Sequence, residues 1–555
     1  MDQLLVLLAF LLCGLLAVFR RGRAPPPPPS LAMHKISDPA VAHRALVENA
    51  DAFSNRPPAR LHVAQAARRR GQRNENLNTM AHGPHWRALR CNLTAETLHP
   101  SRLAGLAPLQ REAVQGLIAA LSSAPRGSRE EVTEVHQHLY GAVFSVVARL
   151  CFGDVVDEDH VRAMRHDIQR FQLAIGLVKP FTATGSVMEK LVEWRWLRRL
   201  FAIDVRLKEL FLPPIEAWRR AVRSPRPRDD NGRRPYVESL IDLRVPNEDG
   251  GRRALRDEEM VRLISEFLGA GTGTVVASLE WALAHLVDKP EVQEKLHCEV
   301  NDGEVSRVGA GMPYLHAIVL ETLRMHPPLP VIPRHVHANA VGVLAGGMAV
   351  PLPAGDFYVN FSAGDIGRDS KIWKDPDEFL PERFLTGGDG EGIGPLPAPK
   401  QIRMMPFGAG HRFCPGVGMA MVNMKCFLAA LVCEFEWAPP TGIAAVDLTE
   451  LDSFFKVMKK PLSARVTRRS SYPMSIGPPP QEKLTRENYL MWKAIVLPQI
   501  KGAQMGHHLD PESQAPPETL TITNDGKEEQ IVNLSHVLYG QQSMPCLLPK
   551  IKLKP

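Results

Sequence analysis

The first uninterrupted apolar stretch runs from Leu4 to Phe19 and contains no charge. As a helix it would span about 24 Å, short of a hydrocarbon core of roughly 30 Å unless Gln3 and a snorkelling Arg20 extend it. Asp2 precedes the run, Arg20, Arg21 and Arg23 follow it, and no A-x-A cleavage pattern appears. That order favours an uncleaved anchor over a cleaved signal peptide, with the carboxyl-terminal side held in the cytoplasm. Pro25–Pro29 cannot continue a helix and sets extended polyproline II geometry. Residues 1–24 are therefore read as a membrane anchor with its basic stop, and 25–30 as a stiff hinge.

Beyond the hinge the pattern turns helical. Asp257 to Val287 opens with three acids in its first turn and keeps helical apolar spacing to its end, long enough to cross a domain. Gly311 to Arg324 predicts a second helix, stopped by Pro327 and Pro328. Residues 329–362 carry short β-prone pieces broken by Gly and Pro, which predict small strands and turns. The run GMAMVNMKCFLAALVCEFEW after Cys414 predicts another helix. The expected fold class of residues 31–468 is mainly α with a small β region. Composition shifts at Arg469: SYPMSIGPPP reads as a linker, and 469–555 as a separate tail.

Composition narrows the function. At 44% apolar and 23% charged residues the chain is globular in character, which excludes wholesale disorder and a polytopic membrane protein. A net charge of +7 over 555 residues does not call for a nucleic-acid partner, and none is expected. Eight cysteines without close pairing exclude a disulfide-rich secreted scaffold and suit a cytosolic body.

Four places carry candidate chemistry. Phe407 to Gly416 reads FGAGHRFCPG, a tight loop presenting the Cys414 thiol at a helix amino terminus. The helix dipole and free N–H groups there favour thiolate, either a nucleophile or a metal ligand. Glu321 and Arg324 share a helical face, and Arg383 in PERF can supply a second guanidinium to the same carboxylate. Trp86 and Arg90, four apart on another helix, suit an anionic ligand such as a carboxylate; ordinary amphipathic packing is the competing reading. Gly269–Thr274 reads GAGTGT but lacks the preceding strand of a dinucleotide fingerprint. A helix locally opened by its glycines and facing a ligand is the expectation there. His507, His508 and Arg68–Arg70 show no metal-ligand spacing and are read as solvated.

Taken together, residues 36–468 resemble a cytochrome P450 of plant microsomal type. FGAGHRFCPG matches the family's F-x-x-G-x-R-x-C-x-G haem loop at every fixed position, and ETLR followed by PERF is the expected order of its Glu-Arg-Arg triad. HWRALR and IPRHV match its propionate-binding segments, and SDPAVAHRALVENADAFSNRPP, IRMMPFGAG and CEFEW resemble the 89A-type group. The resemblance implies the P450 fold, with haem b held in the loop that contains Phe407 and Gly408. Cys414 would be the axial thiolate of its iron, and Arg412, Trp86, Arg90 and Arg334 would neutralise the propionates. It also implies O2 as co-substrate, electrons from NADPH through a separate NADPH–cytochrome P450 reductase, and a small apolar substrate. The implied location is the endoplasmic reticulum membrane, single-pass, with the catalytic body facing the cytoplasm.

Two departures from the family stand out. Its pattern [AG]-G-x-[DE]-T-[TS] is met by Ala270-Gly271-Thr272-Gly273-Thr274-Val275, so the alcohol Thr274 is kept and the acid that relays protons is replaced by Gly273. The family's first helix and opening strands also have no counterpart between Pro29 and His34, which predicts an uncovered sheet edge. These motivate an alternative reading, a catalytically impaired P450-derived remnant. In the tail, LTRENYLMWKAIVLPQIKGAQMGHHLD resembles the amino-terminal gag region of plant Copia-type retrotransposons, and its basic and acidic residues almost balance. An interaction protein acting through this tail is the third reading.

Overall fold

The computed structural model describes residues 33–57, 76–122, 132–176, 187–222, 234–302 without 248, 312–337, 357–397, 400–469 without 444 and 452–454, and the pairs of strands 519–524 and 527–532. The expected anchor 1–24, the hinge 25–30, Arg68–Arg70 and the gag-like segment 484–510 lie outside the described residues.

The helix Asp257–Asp288 is the axis of the fold. Its first turn is fixed electrostatically: Glu259 accepts hydrogen bonds from the Arg256 N–H at 2.8 Å and from both Nη atoms of Arg253 at 2.7 Å. Beyond that turn it is buried almost all round, as a helix that crosses a core must be. Helices Val135–Phe152, Glu158–Gly176, Val187–Val222, Pro313–Met325 and Val417–Glu434 pack against it. The expected opening at GAGTGT does not occur: the helix runs through it unbroken. Thr272 and Thr274 turn their hydroxyls back onto the carbonyls of Leu268 and Ala270, each at 2.8 Å, so these side chains stay engaged with the helix.

Small sheets flank the helices. In the first, β1 (Met33–Ile36) runs parallel to β6 (Phe357–Ser362), and β6 pairs antiparallel with β5 (Val331–Val336), Ile332 facing Phe361. Strand β1 is an edge of this sheet among the described residues. In the second, β8 (Ser463–Arg468) lies between β2 (Val132–Glu134) and β7 (Phe435–Ala438). Two hairpins, β3 (Arg244–Pro246) with β4 (Arg252–Ala254) and β9 (Thr519–Asn524) with β10 (Lys527–Val532), complete the described strands.

Apolar side chains form two bodies of core. The large one fills the helical layers; the smaller gathers Ile36, Phe53, Ile332, Phe361, Met405 and Ala409 beneath the first sheet. The loop before the last long helix straddles both, with Ala409 in the small core and Phe413 in the large one. Three described helices, those at 135–155, 257–288 and 417–434, are long and apolar enough to cross a membrane, yet most of each is buried within the protein. Their apolarity serves the core.

Candidate functional site

The Cys414 loop is shaped by its backbone. Cys414 N–H donates to the Phe407 carbonyl at 3.0 Å, Phe413 N–H to Gly410, and Gly408 N–H to Met405. Gly408 and Gly410 adopt positive φ, +77° and +69°, where side-chain-bearing residues are strained. Helix Val417–Glu434 begins three residues past the cysteine.

The Cys414 thiol does not titrate as its position alone predicts. Burial pushes its pKa up; the Gly416 N–H at the sulfur and the Arg90 and Arg56 charges pull it down without cancelling that rise. A further positive charge at the sulfur, such as a metal ion, would make the thiolate the stable form. Among the described residues no group of three or more His, Cys, Asp or Glu is arranged to hold a metal.

Around the loop lies an excess of buried positive charge. Arg90, 4% exposed, donates to the Phe413 carbonyl at 2.5 Å. Arg412 donates to the carbonyls of Ser54, Leu77 and Met80. Arg334, 1% exposed, reaches the carbonyls of Pro333 at 3.0 Å and Ala409 at 3.5 Å. Burial lowers Arg90 to about 10, the Cys414 charge opposing it. Burial also lowers Arg412 to about 9 and Arg334 well below its usual range, helped in both by the charge of Arg56. The Nε atoms of Arg56, Arg90 and Arg334 are buried without a hydrogen-bond partner. Guanidinium groups held this way lack an anion, and a ligand with two carboxylates satisfies both the charge and the orphaned donors. Together, the thiol and the guanidinium cluster fit haem: one metal-binding sulfur and several donors for its acidic edge.

Two members of this cluster escaped the sequence reading. Arg56 lies in SNRPP, where no spacing links it to Cys414, and only the fold brings it there. Glu266 is a carboxylate whose charge interacts with those of Arg56 and Arg412; it accepts the N–H groups of Leu77 at 2.8 Å and Asn78 at 2.7 Å. Burial pushes it up to about 7 against those bonds and the Arg56 and Arg412 charges. Trp86 lies against the same arginines. Its indole N–H donates to the Leu77 carbonyl at 3.0 Å, and the ring lies 4.7 Å from the Arg412 guanidinium and 5.8 Å from that of Arg90. It orients the arginines by cation–π contact while its donor is already engaged.

Glu321, Arg324 and Arg383 meet in one buried cluster. Arg324 forks onto both Glu321 oxygens at 2.7 and 2.8 Å, Arg383 Nε adds a bond of 3.0 Å, and Leu380 N–H another of 2.9 Å. The spare donors of the arginines go to the carbonyls of Gly367, Pro376 and Lys374 and to Asp389. Trp373 lies 5.3 Å from the Arg324 guanidinium and 5.8 Å from that of Arg383. Every charge here is paired, so the cluster ties the Pro313–Met325 helix to the 367–389 segment. Thr274 and Gly273 sit half-buried on the long helix, the Thr274 hydroxyl donating to Ala270.

Residues 29–467 match the family model described as cytochrome P450. The chain is 32% identical over 451 residues to cytochrome P450 89A9 of Arabidopsis thaliana, covering 78% of this chain and 84% of that one. It is 30% identical over 412 residues to cytochrome P450 78A1 of Zea mays, covering 70% and 71%. A 6,7,8-trihydroxycoumarin synthase of Pastinaca sativa is 29% identical over 375 residues, covering 66% and 70%. Among solved structures, a zebra fish cytochrome P450 with progesterone superposes with a TM-score of 0.60 at 19% identity, covering 78% of this chain and 93% of that one.

Proposed function

Because the chain belongs to the cytochrome P450 family, we propose that it is a haem-thiolate mono-oxygenase that inserts one oxygen atom from O2 into a small apolar organic substrate. Haem b would supply the oxygen-activating redox chemistry, drawing two electrons from NADPH through a separate membrane-bound NADPH–cytochrome P450 reductase, with the second oxygen atom leaving as water.

The protein's own residues position and neutralise. Cys414 is the metal ligand, held by the Phe407 carbonyl and the positive-φ glycines 408 and 410. Arg90, Arg334 and Arg412, joined by Arg56, bind the cofactor's carboxylates, and Trp86 orients two of them. Glu321, Arg324 and Arg383 keep the loop's surroundings rigid. Thr274 holds a hydroxyl proton at Oγ1 beside the turn of Gly273. Residues 1–24 anchor the body at the endoplasmic reticulum membrane, facing the cytoplasm, and the gag-like tail 469–555 is an appendage to the enzyme.

The observation that carries this reading is the cluster of buried, anion-deficient arginines against the Cys414 loop. The test is the carbon-monoxide difference spectrum of the reduced protein beside Cys414→Ala. A red-shifted Soret band absent from the variant supports it; no such band in the parent rejects it. Gly273 favours a second reading, a haem protein impaired in turnover. A red-shifted band without NADPH-dependent oxygen uptake in the presence of reductase would select that one.

A further inference from the structure

Gly273 is not an empty place in the structure. A β-carbon there would stand 2.6 Å from Nε2 of Gln172, and 3.2 Å from its Cδ and Oε1. Gln172 belongs to the helix Glu158–Gly176, which packs on the long helix. Its Nε2 donates to the Gly269 carbonyl at 2.8 Å, and its Oε1 accepts the Tyr140 hydroxyl at 2.6 Å. Tyr140 is 3% exposed, and burial raises its pKa, so it remains a donor. The side chain of Gln172 is thus fixed at both ends, and it fills the space over the turn Gly269–Gly273.

We propose that Gln172 is a positioning residue for the proton-delivery turn: a neutral carboxamide from the neighbouring helix occupies the place of a side chain at 273 and holds the Gly269 carbonyl, with Tyr140 as its brace. This rests on the mono-oxygenase reading for its catalytic consequence. Glycine at 273 is then a packing requirement of Gln172. A side chain at 273 must displace the end of Gln172, a movement that its two hydrogen bonds oppose. A carboxamide cannot pass a proton on without forming its imidic tautomer, so Gln172 shapes the turn while the Thr274 hydroxyl and water carry protons.

A four-variant cycle on the full chain tests the packing without reference to activity. Gly273→Ala should lower the unfolding temperature when residue 172 is Gln, because the methyl expels the carboxamide. In the Gln172→Ala background the same substitution should raise it, because alanine is the better helix former. The same sign in both backgrounds overturns the proposal. With reductase and NADPH, Gln172→Ala should raise the fraction of electrons lost as hydrogen peroxide several-fold. Gln172→Glu, which keeps the shape but loses the donor to Gly269, should do likewise. Gln172→Ala combined with Gly273→Asp should return toward the parent, since an acid then has room. An unchanged peroxide fraction in Gln172→Ala refutes the positioning role. Absence of the red-shifted Soret band in the parent would instead remove the mono-oxygenase reading, and the thermal cycle would still decide the relation between Gln172 and Gly273.

Discussion

Gly410 approaches Leu46 so closely that a β-carbon on it would lie 2.1 Å from the Leu46 carbonyl oxygen. The contact joins the Cys414 loop to the helical segment Arg44–Glu48, and both of its sides are backbone. No rotamer change relieves it, and φ of +69° at Gly410 adds its own strain to any side chain. Gly410→Ala should therefore lift the loop from its seat and abolish the red-shifted Soret band. Gly394→Ala, where nothing lies within 4 Å and φ is not positive, should leave the band intact and serves as the control.

The triad yields a prediction about folding. Glu321 is completely buried and takes hydrogen bonds from both Arg324 and Arg383. Glu321→Gln keeps the shape but leaves the buried Arg324 without its counter-charge and Arg383 with Asp389 alone, at an expected cost of about 3–5 kcal/mol. Urea unfolding should show a midpoint displaced accordingly. The exposed pair Lys295–Glu382, at 2.8 Å with side chains 59% and 44% exposed, is the contrast. Lys295→Ala should change stability by less than about 1 kcal/mol.

Much of this arrangement is legible in the chain, for local reasons. Acids followed by apolar positions at helical spacing mark the helix 257–288, and Pro327 and Pro328 mark the end of the helix Pro313–Met325. The FGAGHRFCPG spacing marks the cysteine loop because its glycines answer to local backbone geometry. What escapes is what depends on meeting across the fold. Arg56, Glu266 and Gln172 acquire their neighbours only through tertiary packing. The helix stays closed through GAGTGT although its glycines favour opening, because the segment is buried in the packed helical layers, which spacing alone does not reveal. The Leu77 carbonyl that takes the Trp86 donor lies outside its helix, where no helical spacing points to it.

Acid stability should depend on the amino-terminal turn of the long helix. Burial pushes Glu259 up, but the Arg253 fork, the Arg256 N–H and the Arg256 side chain outweigh it and hold the carboxyl at about 2. Its ordinary value is 4.5, so the folded state gains stability that is fully present above pH 4.5 and is lost as pH falls toward 2. Discounted for solvent screening at the half-exposed Arg256, the contribution at high pH is on the order of 1–2 kcal/mol. Unfolding free energy measured between pH 5 and pH 2 should fall more steeply in the parent than in Glu259→Gln. Parallel curves would mean that the carboxylate is not held by these arginines.

The arginine cluster predicts opposite effects of one substitution on two states of the protein. Arg334 is buried, its Nε has no partner, and its pKa is lowered by burial and by the charges of Arg56 and Arg412. Without an anionic ligand this charge is a liability, because desolvation and like-charge repulsion both oppose it. With a dicarboxylate present, the same charge becomes a donor to it. Arg334→Met, of comparable length and apolar, should raise the unfolding temperature of haem-depleted protein while accelerating haem loss to an acceptor protein by about tenfold or more, the size of one charge-assisted hydrogen bond. Arg334→Lys keeps the charge but not the fork, and should fall between the two in haem retention. If Arg334→Met destabilises the haem-depleted protein and leaves haem retention unchanged, the arginine is a structural tie between Pro333 and Ala409, and the cofactor's acidic edge must be held by Arg56, Arg90 and Arg412 without it.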